Sequence, residues 1–584
     1  MKNVKIKIDN IDLIVPEGTT ILEAAKKVNI NIPHLCYHPD QAIKANCRLC
    51  VVEVSGSKKL TPACSSFVFE GMDVQTNTKK VRDMQKGVLE LILANHDQNC
   101  LKCLRNGNCE LQALCQRFNI SKTNLEENVD ALPLDNTNPS LVRDSAKCVK
   151  CNRCVEACQK GQEVHVLTHS HRSVHYNITP AYEMPLEETF CVFCGQCAAV
   201  CPVGAIVEKD DTAKIWDAIY DPSKHVIVQV APAVRVALGD AFDLPKGTIV
   251  TGKMVAALRR LGFDKIFDTN FTADLTIMEE GTELIKRITE GGTLPMITSC
   301  SPGWINFIEG RYDHLLDHLS SCKSPQQMFG ALSKSYYAEM MGIDPKNIYT
   351  VSIMPCTAKK FEAQRPEMVT NGVQEVDAVL TTRELARMIQ SAGIEFAGLE
   401  EDQFDNPFGI GTGAGAIFGA TGGVMEAALR TAYEILTGKG LPSLNFTDVR
   451  GLEGIKESTV HINGLDLKIA VAHGLGNAKV LLKQIEKGES PYTFIEVMAC
   501  PGGCIGGGGQ PIKSTLDVKA KRIESIYKID QDLPLRKSHK NPDVLKLYED
   551  YLGEPLGHKS HELLHTHYHS RGMKYNFNEL SSKN

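Results

Sequence analysis

Residues 496–511 read Glu-Val-Met-Ala-Cys-Pro-Gly-Gly-Cys-Ile-Gly-Gly-Gly-Gly-Gln-Pro. Cys500 and Cys504 stand four apart, just after an apolar run, Thr493 to Met498, that reads as a buried strand. Six glycines fall within the eight residues Gly502 to Gly509. Glycine lets backbone approach a ligand closely and supplies positive-φ turns. Thiolates are soft ligands suited to iron–sulfur clusters, zinc or copper(I). A cysteine pair wrapped in glycine at a strand end therefore reads as the seat of a bulky inorganic cluster. A tight turn around two buried structural thiols is the plainer alternative.

Two other stretches share this design. Ile348 to Met354 is strand-like and runs into Pro355-Cys356, and the short apolar Pro295 to Thr298 runs into Ser299-Cys300-Ser301-Pro302. Each places a cysteine where a strand hands over to a loop. In open α/β sheets ligands bind at the carboxyl ends of the strands, so the three stretches are expected to converge on one site. The segment 209–584 supports such a sheet. Strand-like His225 to Val230 leads through Ala231-Pro232-Ala233 towards a helix, and Val376 to Leu380 leads into a helix at Thr382-Arg-Glu-Leu. This alternation argues for an α/β domain with parallel strands.

The 584 residues suggest about four domains. Apolar residues make up 43% and charged residues 23%, ordinary for a globular protein. A net charge of −6 gives no support for nucleic-acid binding. The start, Met-Lys-Asn-Val-Lys-Ile, continues as an alternating strand rather than an apolar signal core. No run of 18 apolar residues suggests a membrane span. Of the 21 cysteines, 16 precede residue 202. Without a secretion signal, metal binding outweighs disulfides, and a cytoplasmic location is expected.

The front of the chain reads as three cluster modules. In residues 1–80, Val4, Ile6 and Ile8 alternate with Lys5, Lys7 and Asp9, a second strand spans Ile11 to Val15, and Thr20-Ile-Leu-Glu23 reads as a capping box. Cys36, Cys47, Cys50 and Cys64 follow. This order resembles a β-grasp, plant-type 2Fe–2S ferredoxin domain with a longer first gap; zinc is the plainer alternative. In residues 81–125 a helical run, Val88 to Ala94, precedes His96, Cys100, Cys103 and Cys109, a set that could hold zinc or a 4Fe–4S cluster. Cys115 is left over as a packing residue. Polar residues 126–140 read as a linker. In residues 141–208, Cys148, Cys151, Cys154 and Cys158 are repeated as Cys191, Cys194, Cys197 and Cys201-Pro202. This is the two-cluster ferredoxin run, in which the fourth cysteine of each run serves the other cluster. Cys201 therefore joins Cys148, Cys151 and Cys154, and Cys158 joins Cys191, Cys194 and Cys197. The C-terminal His558, His561, His565, His567 and His569 could bind metal, but a polar helical tail is the expected reading.

Thr298-Ser-Cys-Ser-Pro-Gly-Trp304, Met354-Pro-Cys-Thr-Ala-Lys-Lys-Phe-Glu362 and the 496–511 stretch together resemble the three signatures of iron-only (FeFe) hydrogenases. The resemblance extends over the cysteine-rich front, and the His96 set resembles the His-ligated 4Fe–4S site that follows the 2Fe–2S domain in the same families. It implies a multidomain α+β and α/β protein with a C-terminal hydrogenase domain. It also implies one 2Fe–2S cluster, three accessory 4Fe–4S clusters and an H-cluster. That last group is a 4Fe–4S cubane joined through a thiolate to a di-iron unit carrying CO, cyanide and an amine dithiolate. By the resemblance, Cys504 is the shared ligand and Cys356 and Cys500 are further cubane ligands.

The first signature departs from the family, which usually has two adjacent cysteines there, a proton relay and then a cubane ligand. Here the pair is Cys300-Ser301. Either Cys300 is the relay and Ser301 takes the fourth cubane position, or the loop shifts and Cys300 ligates. Serine oxygen is a harder ligand than thiolate. The resemblance further implies a proton path from Cys300 through Glu280 and Ser320 to Glu283 and Arg287, where pattern alone would read 280–287 as a solvated helix face. It implies that Lys359 pairs with a cyanide ligand and that Pro232, Met354, Phe418 and Met498 line the pocket. Ala233 stands where the clostridial-type enzyme has serine.

The activity implied is the reversible reduction of protons to H2, with ferredoxin or flavodoxin as electron partner and hydrogenase maturation proteins as assembly partners. The alternatives are the hydrogenase subunit of an NAD-linked complex with flavoprotein subunits, and a low-activity redox-sensing relative. A respiratory complex I subunit would share the front domains and lack the three signatures. No nucleotide-binding glycine fingerprint follows a strand, so NAD or flavin would need another chain.

Overall fold

The alternation at the start of the chain forms the strand Asn3–Ile8, with Val4, Ile6 and Ile8 buried and the lysines between them outward. It turns at Asp9 and Asn10, both with positive φ, and pairs antiparallel with Ile11–Pro16. Two positive-φ residues make the tight turn whose twist suits a hairpin. The computed structural model describes residues 2–572 apart from 124, 127, 128, 130, 442 and 463. Three of those exceptions belong to the expected linker and lie outside the described residues.

The first sheet has the order Ile11–Pro16, Asn3–Ile8, Asp73–Gln75, Val51–Val54, Thr61–Pro62, and the helix Ile21–Lys27 packs into the same core. Only half of the expected capping box forms. Thr20 Oγ1 accepts the Glu23 amide at 3.2 Å, but the Glu23 carboxylate turns to Lys26 and Tyr37, which stand on its open side. The helical run at Val88 belongs to Lys79–Ala94.

The chain after residue 208 holds two larger sheets. One is fully parallel, in the order Lys265–Asp268, His225–Val230, Ile348–Met354, Ala378–Thr381. Its strands are almost wholly buried, as expected when both faces are covered. The other runs Met296–Ile297, Phe494–Met498, Leu465–His473, Ile455–Ile462, with only the last pair antiparallel. Two expectations shift. After Val230 the chain makes turns and a short 3₁₀ helix, Leu238–Phe242, instead of an immediate helix. Proline has no N–H to donate to a helix, and Pro232 here faces a cavity. The strand expected at Val376 begins at Ala378, because the Asp377 carboxylate is drawn to the Thr350 amide and Lys334.

The helix Thr269–Glu290 crosses this part of the chain, capped by Asp268, whose Oδ1 accepts the Asn270 amide at 2.9 Å. The histidine-rich C-terminus is not a polar tail. Its helix covers only His558–Leu564, and Leu563, Leu564, His565 and Thr566 are buried. The reason is a carboxylate deep in the 269–290 helix: Glu279 meets His565 Nε2 at 3.0 Å. Among the described residues, no helix is long and apolar enough to cross a membrane.

Buried ion pairs tie these layers together. The Lys360 ammonium is fully buried and reaches Asp211 at 2.6 Å, Glu384 at 2.9 Å and the Val379 carbonyl at 2.6 Å. Asp211 lies near the start of this part, so one cation joins its first residues to the parallel sheet. Removing one partner of a buried pair leaves an uncompensated charge. Lys360→Met is expected to cost about 3–5 kcal/mol, seen as a lowered thermal unfolding midpoint. An unchanged midpoint would mean that Asp211 and Glu384 do not depend on it.

Candidate metal centre and its supporting domains

The three strand ends do converge. One cavity is lined by Cys300, Ser301, Cys356, Cys500 and Cys504, together with Pro232, Met354, Lys359, Phe418 and Met498. Ala233 is not on its wall. It is buried behind Pro232, with its carbonyl accepting Gln510 Nε2 at 3.0 Å. Three of the four thiols fall on two sides: Cys356 packs with Ala499 on one, while Cys300 and Cys504 pack with Phe418 and Met498 on the other. Ser301 precedes the helix Pro302–Arg311 and its hydroxyl accepts the Ala499 amide at 3.2 Å.

Lys359 reaches the Cys300 carbonyl at 3.2 Å and is held by the Glu362 carboxylate at 2.8 Å. Glu362 is held in turn by Ser324 at 2.9 Å and Gln326 at 3.1 Å. The ammonium is thus fixed at the rim of a pocket whose walls are otherwise apolar. Soft thiols, one fixed cation and little else polar suit a bulky, anionic, sulfur-bound cluster.

The 280–287 face is not an open solvated one: Glu280 is buried, and Glu283 and Arg287 are partly buried against each other. Glu280 is 1% exposed, and among the described residues its carboxyl oxygens make no close hydrogen bond, with the Ser320 hydroxyl and the Ser299 backbone the polar groups nearest to satisfying them. Burial, then the neighbouring Glu283 charge, pushes its carboxyl up to about 8, so it holds a proton at neutral pH. Ser320 donates to Glu283 Oε2 at 2.8 Å, and Arg287 donates to Glu283 Oε1 at 2.7 Å. Arg287 also donates to the Leu319 carbonyl at 2.7 Å, at the protein surface.

Three of the four front cysteine sets lie close together. Cys36 touches Cys47 and Cys64, and Cys50 touches Cys64. Cys148, Cys151, Cys154 and Cys201 line one small cavity, and Cys158, Cys191, Cys194 and Cys197 line another. His96 is buried with Nδ1 free of any hydrogen bond among the described residues. Cys115 is partly buried and packs with Leu111 and Val203.

The last ferredoxin loop sits directly on the catalytic loops. Gln196 Nε2 donates to the Gly506 carbonyl at 2.9 Å, and Thr357 Oγ1 donates to the Phe193 carbonyl at 2.7 Å. Cys194 itself lines the cavity at the strand ends. A Cβ on Gly508 would overlap the Cys194 carbonyl oxygen and lie 2.6 Å from Gly195 Cα. Backbone meets backbone here, and only glycine permits it.

Residues 224–508 match the model of the iron only hydrogenase large subunit, C-terminal domain, and residues 516–571 match the iron hydrogenase small subunit. The NADP-reducing hydrogenase subunit HndD of Solidesulfovibrio fructosivorans is 49% identical across 98% of this chain and 100% of its own length. The chain belongs to the FeFe hydrogenase family. Iron hydrogenase 1 of Clostridium pasteurianum is 44% identical across 96% of this chain and 99% of that protein. Among solved structures, the FeFe hydrogenase HydA1 from Chlamydomonas reinhardtii is 47% identical, with a TM-score of 0.57, covering 62% of this chain and 100% of that one. In front, residues 1–79 match a 2Fe-2S iron-sulfur cluster binding domain, 85–124 the NADH-ubiquinone oxidoreductase-G iron-sulfur binding region, and 147–205 a 4Fe-4S dicluster domain. This hydrogenase is therefore an oxidoreductase acting on hydrogen, with iron–sulfur domains ahead of its H-cluster domain.

Several supporting residues were not singled out in the sequence. Glu362 lies within the second signature, three residues after Lys359, a helical spacing that could have flagged it. Glu279 and His565 carry no motif; only the fold joins them. The small-subunit match lies within the stretch 209–584 expected to form the hydrogenase domain.

Gly508→Ala in this hydrogenase must move backbone to clear Cys194. It is expected to cost about 1–3 kcal/mol, read as a lower melting midpoint of the loaded enzyme and slower dye-driven H2 production. An alanine variant with both unchanged would show that the loop has room.

Proposed function

We propose that this chain interconverts two protons and two electrons with H2 in the cavity lined by Cys300, Cys356, Cys500 and Cys504. Cys356, Cys500 and Cys504 would hold the H-cluster, with Cys504 as the shared thiolate; bound there, the group supplies the iron centre at which protons and electrons combine. Pro232, Met354, Phe418 and Met498 keep water out, and Lys359, fixed by Glu362, offers its ammonium to an anionic ligand. What supports this reading is the row of groups between that cavity and the partly exposed Arg287: the buried Glu280 and Ser320, then Glu283.

Protons enter at Arg287 and Glu283, pass the Ser320 hydroxyl, and reach Glu280, which keeps a proton at neutral pH. Cys300 is the last carrier. It lines the cavity beside Lys359, and Glu280 is the carboxylate that bears most on its thiol, as a relay requires. An amide cannot carry a proton, so Glu283→Gln should lower H2 turnover by about 10²–10⁴-fold with iron content unchanged. Full turnover would return the 280–287 face to a structural role.

Ser301 then stands at the fourth cubane position. Ser301→Cys supplies a softer ligand, so both cluster retention and turnover should rise. Cys300→Ala should keep its iron and lose turnover. Loss of the cubane from that variant would make Cys300 the ligand instead.

Fifteen of the sixteen cysteines before residue 202, all but Cys115, are proposed to hold four accessory centres together with His96. Cys36, Cys47, Cys50 and Cys64 serve a 2Fe–2S cluster, and His96, Cys100, Cys103 and Cys109 a 4Fe–4S cluster. The two ferredoxin cavities hold the other two, the inner one against the catalytic loops. Electrons come from ferredoxin or flavodoxin in the cytoplasm, and maturation proteins deliver the di-iron unit. A second reading is favoured by the full-length similarity to a subunit named NADP-reducing: the chain would work beside flavoprotein subunits of an NAD(P)-linked complex. Co-purification of a flavoprotein from the native source separates the two. H2 turnover after maturation separates both from a redox sensor.

A further inference from the structure

One cluster of metal-ligating side chains lies outside the iron–sulfur sites. Among the described residues, Glu283, Cys322 and His565 form one group whose ligand atoms lie within 4.8 Å of one another, all three buried. They come from three separate parts of the chain: the 269–290 helix, the loop after Ser320, and the C-terminal segment. We propose that Glu283, Cys322 and His565 form a binding site for zinc, and that zinc there shuts the proton path.

The donor set and its surroundings suit zinc. Zinc takes cysteine sulfur, histidine nitrogen and carboxylate oxygen, usually four ligands in a tetrahedron. Glu283 Oε2 is the oxygen that faces Cys322, 3.9 Å from its Sγ, while Oε1 stays with Arg287. His565 Nε2 is committed to the Glu279 carboxylate at 3.0 Å. A ligating histidine characteristically donates its other ring N–H to a carboxylate, which fixes the tautomer and ring orientation. Here that arrangement is already built, and Glu279 is itself fixed by Tyr548, Ser560 and the Leu556 amide. It leaves Nδ1 with its lone pair, next to Ser321 Oγ at 2.8 Å. The Ser321 hydroxyl or a water can fill the fourth position.

The charges agree. Two carboxylates stand beside the Cys322 thiol and the His565 ring: Glu283 Oε2 lies 3.9 Å from the sulfur, and Glu279 holds His565 at 3.0 Å. A divalent cation relieves that concentration of negative charge. Binding exchanges the thiol proton for the metal, releasing one proton and leaving thiolate, carboxylate and neutral imidazole on Zn²⁺. A metal reaches the site by the same mouth as a proton, past Arg287. Once bound, it withdraws Glu283 Oε2 from Ser320. The blocking step rests on the proposed role of Glu283; the binding step does not.

The test uses the fully loaded holoenzyme, exposed to zinc chloride and desalted. Zinc and iron are counted together, so that zinc replacing a cluster is seen as lost iron. Wild type should gain one zinc with iron unchanged, show sulfur, nitrogen and oxygen neighbours by zinc X-ray absorption, and lose turnover by about a hundredfold, reversibly with a chelator. Cys322→Ala, and separately His565→Gln, should take up no such zinc and keep their turnover in its presence. Glu279→Gln should weaken uptake by about 10–100-fold. Equal zinc uptake by wild type and both ligand variants would overturn the site. Stoichiometric zinc, lost in both variants but without inhibition, would establish the site and overturn the role of Glu283 in proton transfer.

Discussion

The catalytic half depends on a contact that side chains could not make. The Gly506–Gly509 backbone lies against the loop around Cys194 and Gly195, closely enough that a single Cβ on Gly508 would collide with it. The reverse is also true, since a Cβ on Gly195 would strike Thr357 and lie 3.1 Å from Gly508 Cα. Gln196 and Thr357 then lock the two loops through backbone carbonyls. The consequence is electronic as much as mechanical. The inner ferredoxin cluster site and the hydrogenase cavity share the wall made by Cys194, so the electron relay ends where the chemistry begins.

A second constraint is charge in a dry interior. The cavity walls are apolar, and nearly every charge near them is tied down by a partner. Lys359 has Glu362; Arg430 has Glu426 at 2.7 Å and Asp530 at 2.8 Å; Arg522 has Asp240 at 2.6 Å. Glu280 stands apart, a buried acid with no close hydrogen bond among the described residues and a carboxyl that stays protonated near neutrality. Such a group is costly to keep for stability alone. Its cost is intelligible if the proton it holds is meant to move.

Much of this was legible in the residues. The repeated cysteine spacing of the ferredoxin module and the three strand-end cysteines need only local chain, and both assemble as their spacing implies. The strands His225–Val230 and Ile348–Met354 were legible because buried parallel strands are continuous apolar runs. What was not legible depends on long-range partners. Glu23 leaves its capping box because Tyr37 and Lys26 compete for it. The histidine-rich end looks polar and solvated, yet His565 is buried because Glu279, almost three hundred positions earlier, accepts its ring nitrogen. The glycines of 502–509 read as room for a ligand and for turns, and only the packed domains reveal that Gly508 meets Gly195 backbone to backbone. Ala233 followed family register to a pocket whose wall it does not reach.

The central claim is that this cavity assembles a hydrogen-activating di-iron cluster despite a serine at position 301. The most direct measurement is the infrared spectrum of the purified chain after maturation. The account predicts bands of iron-bound CO and cyanide that shift when H2 is admitted. A chain carrying its full iron complement, including the cubane, that shows no such bands after maturation would contradict it.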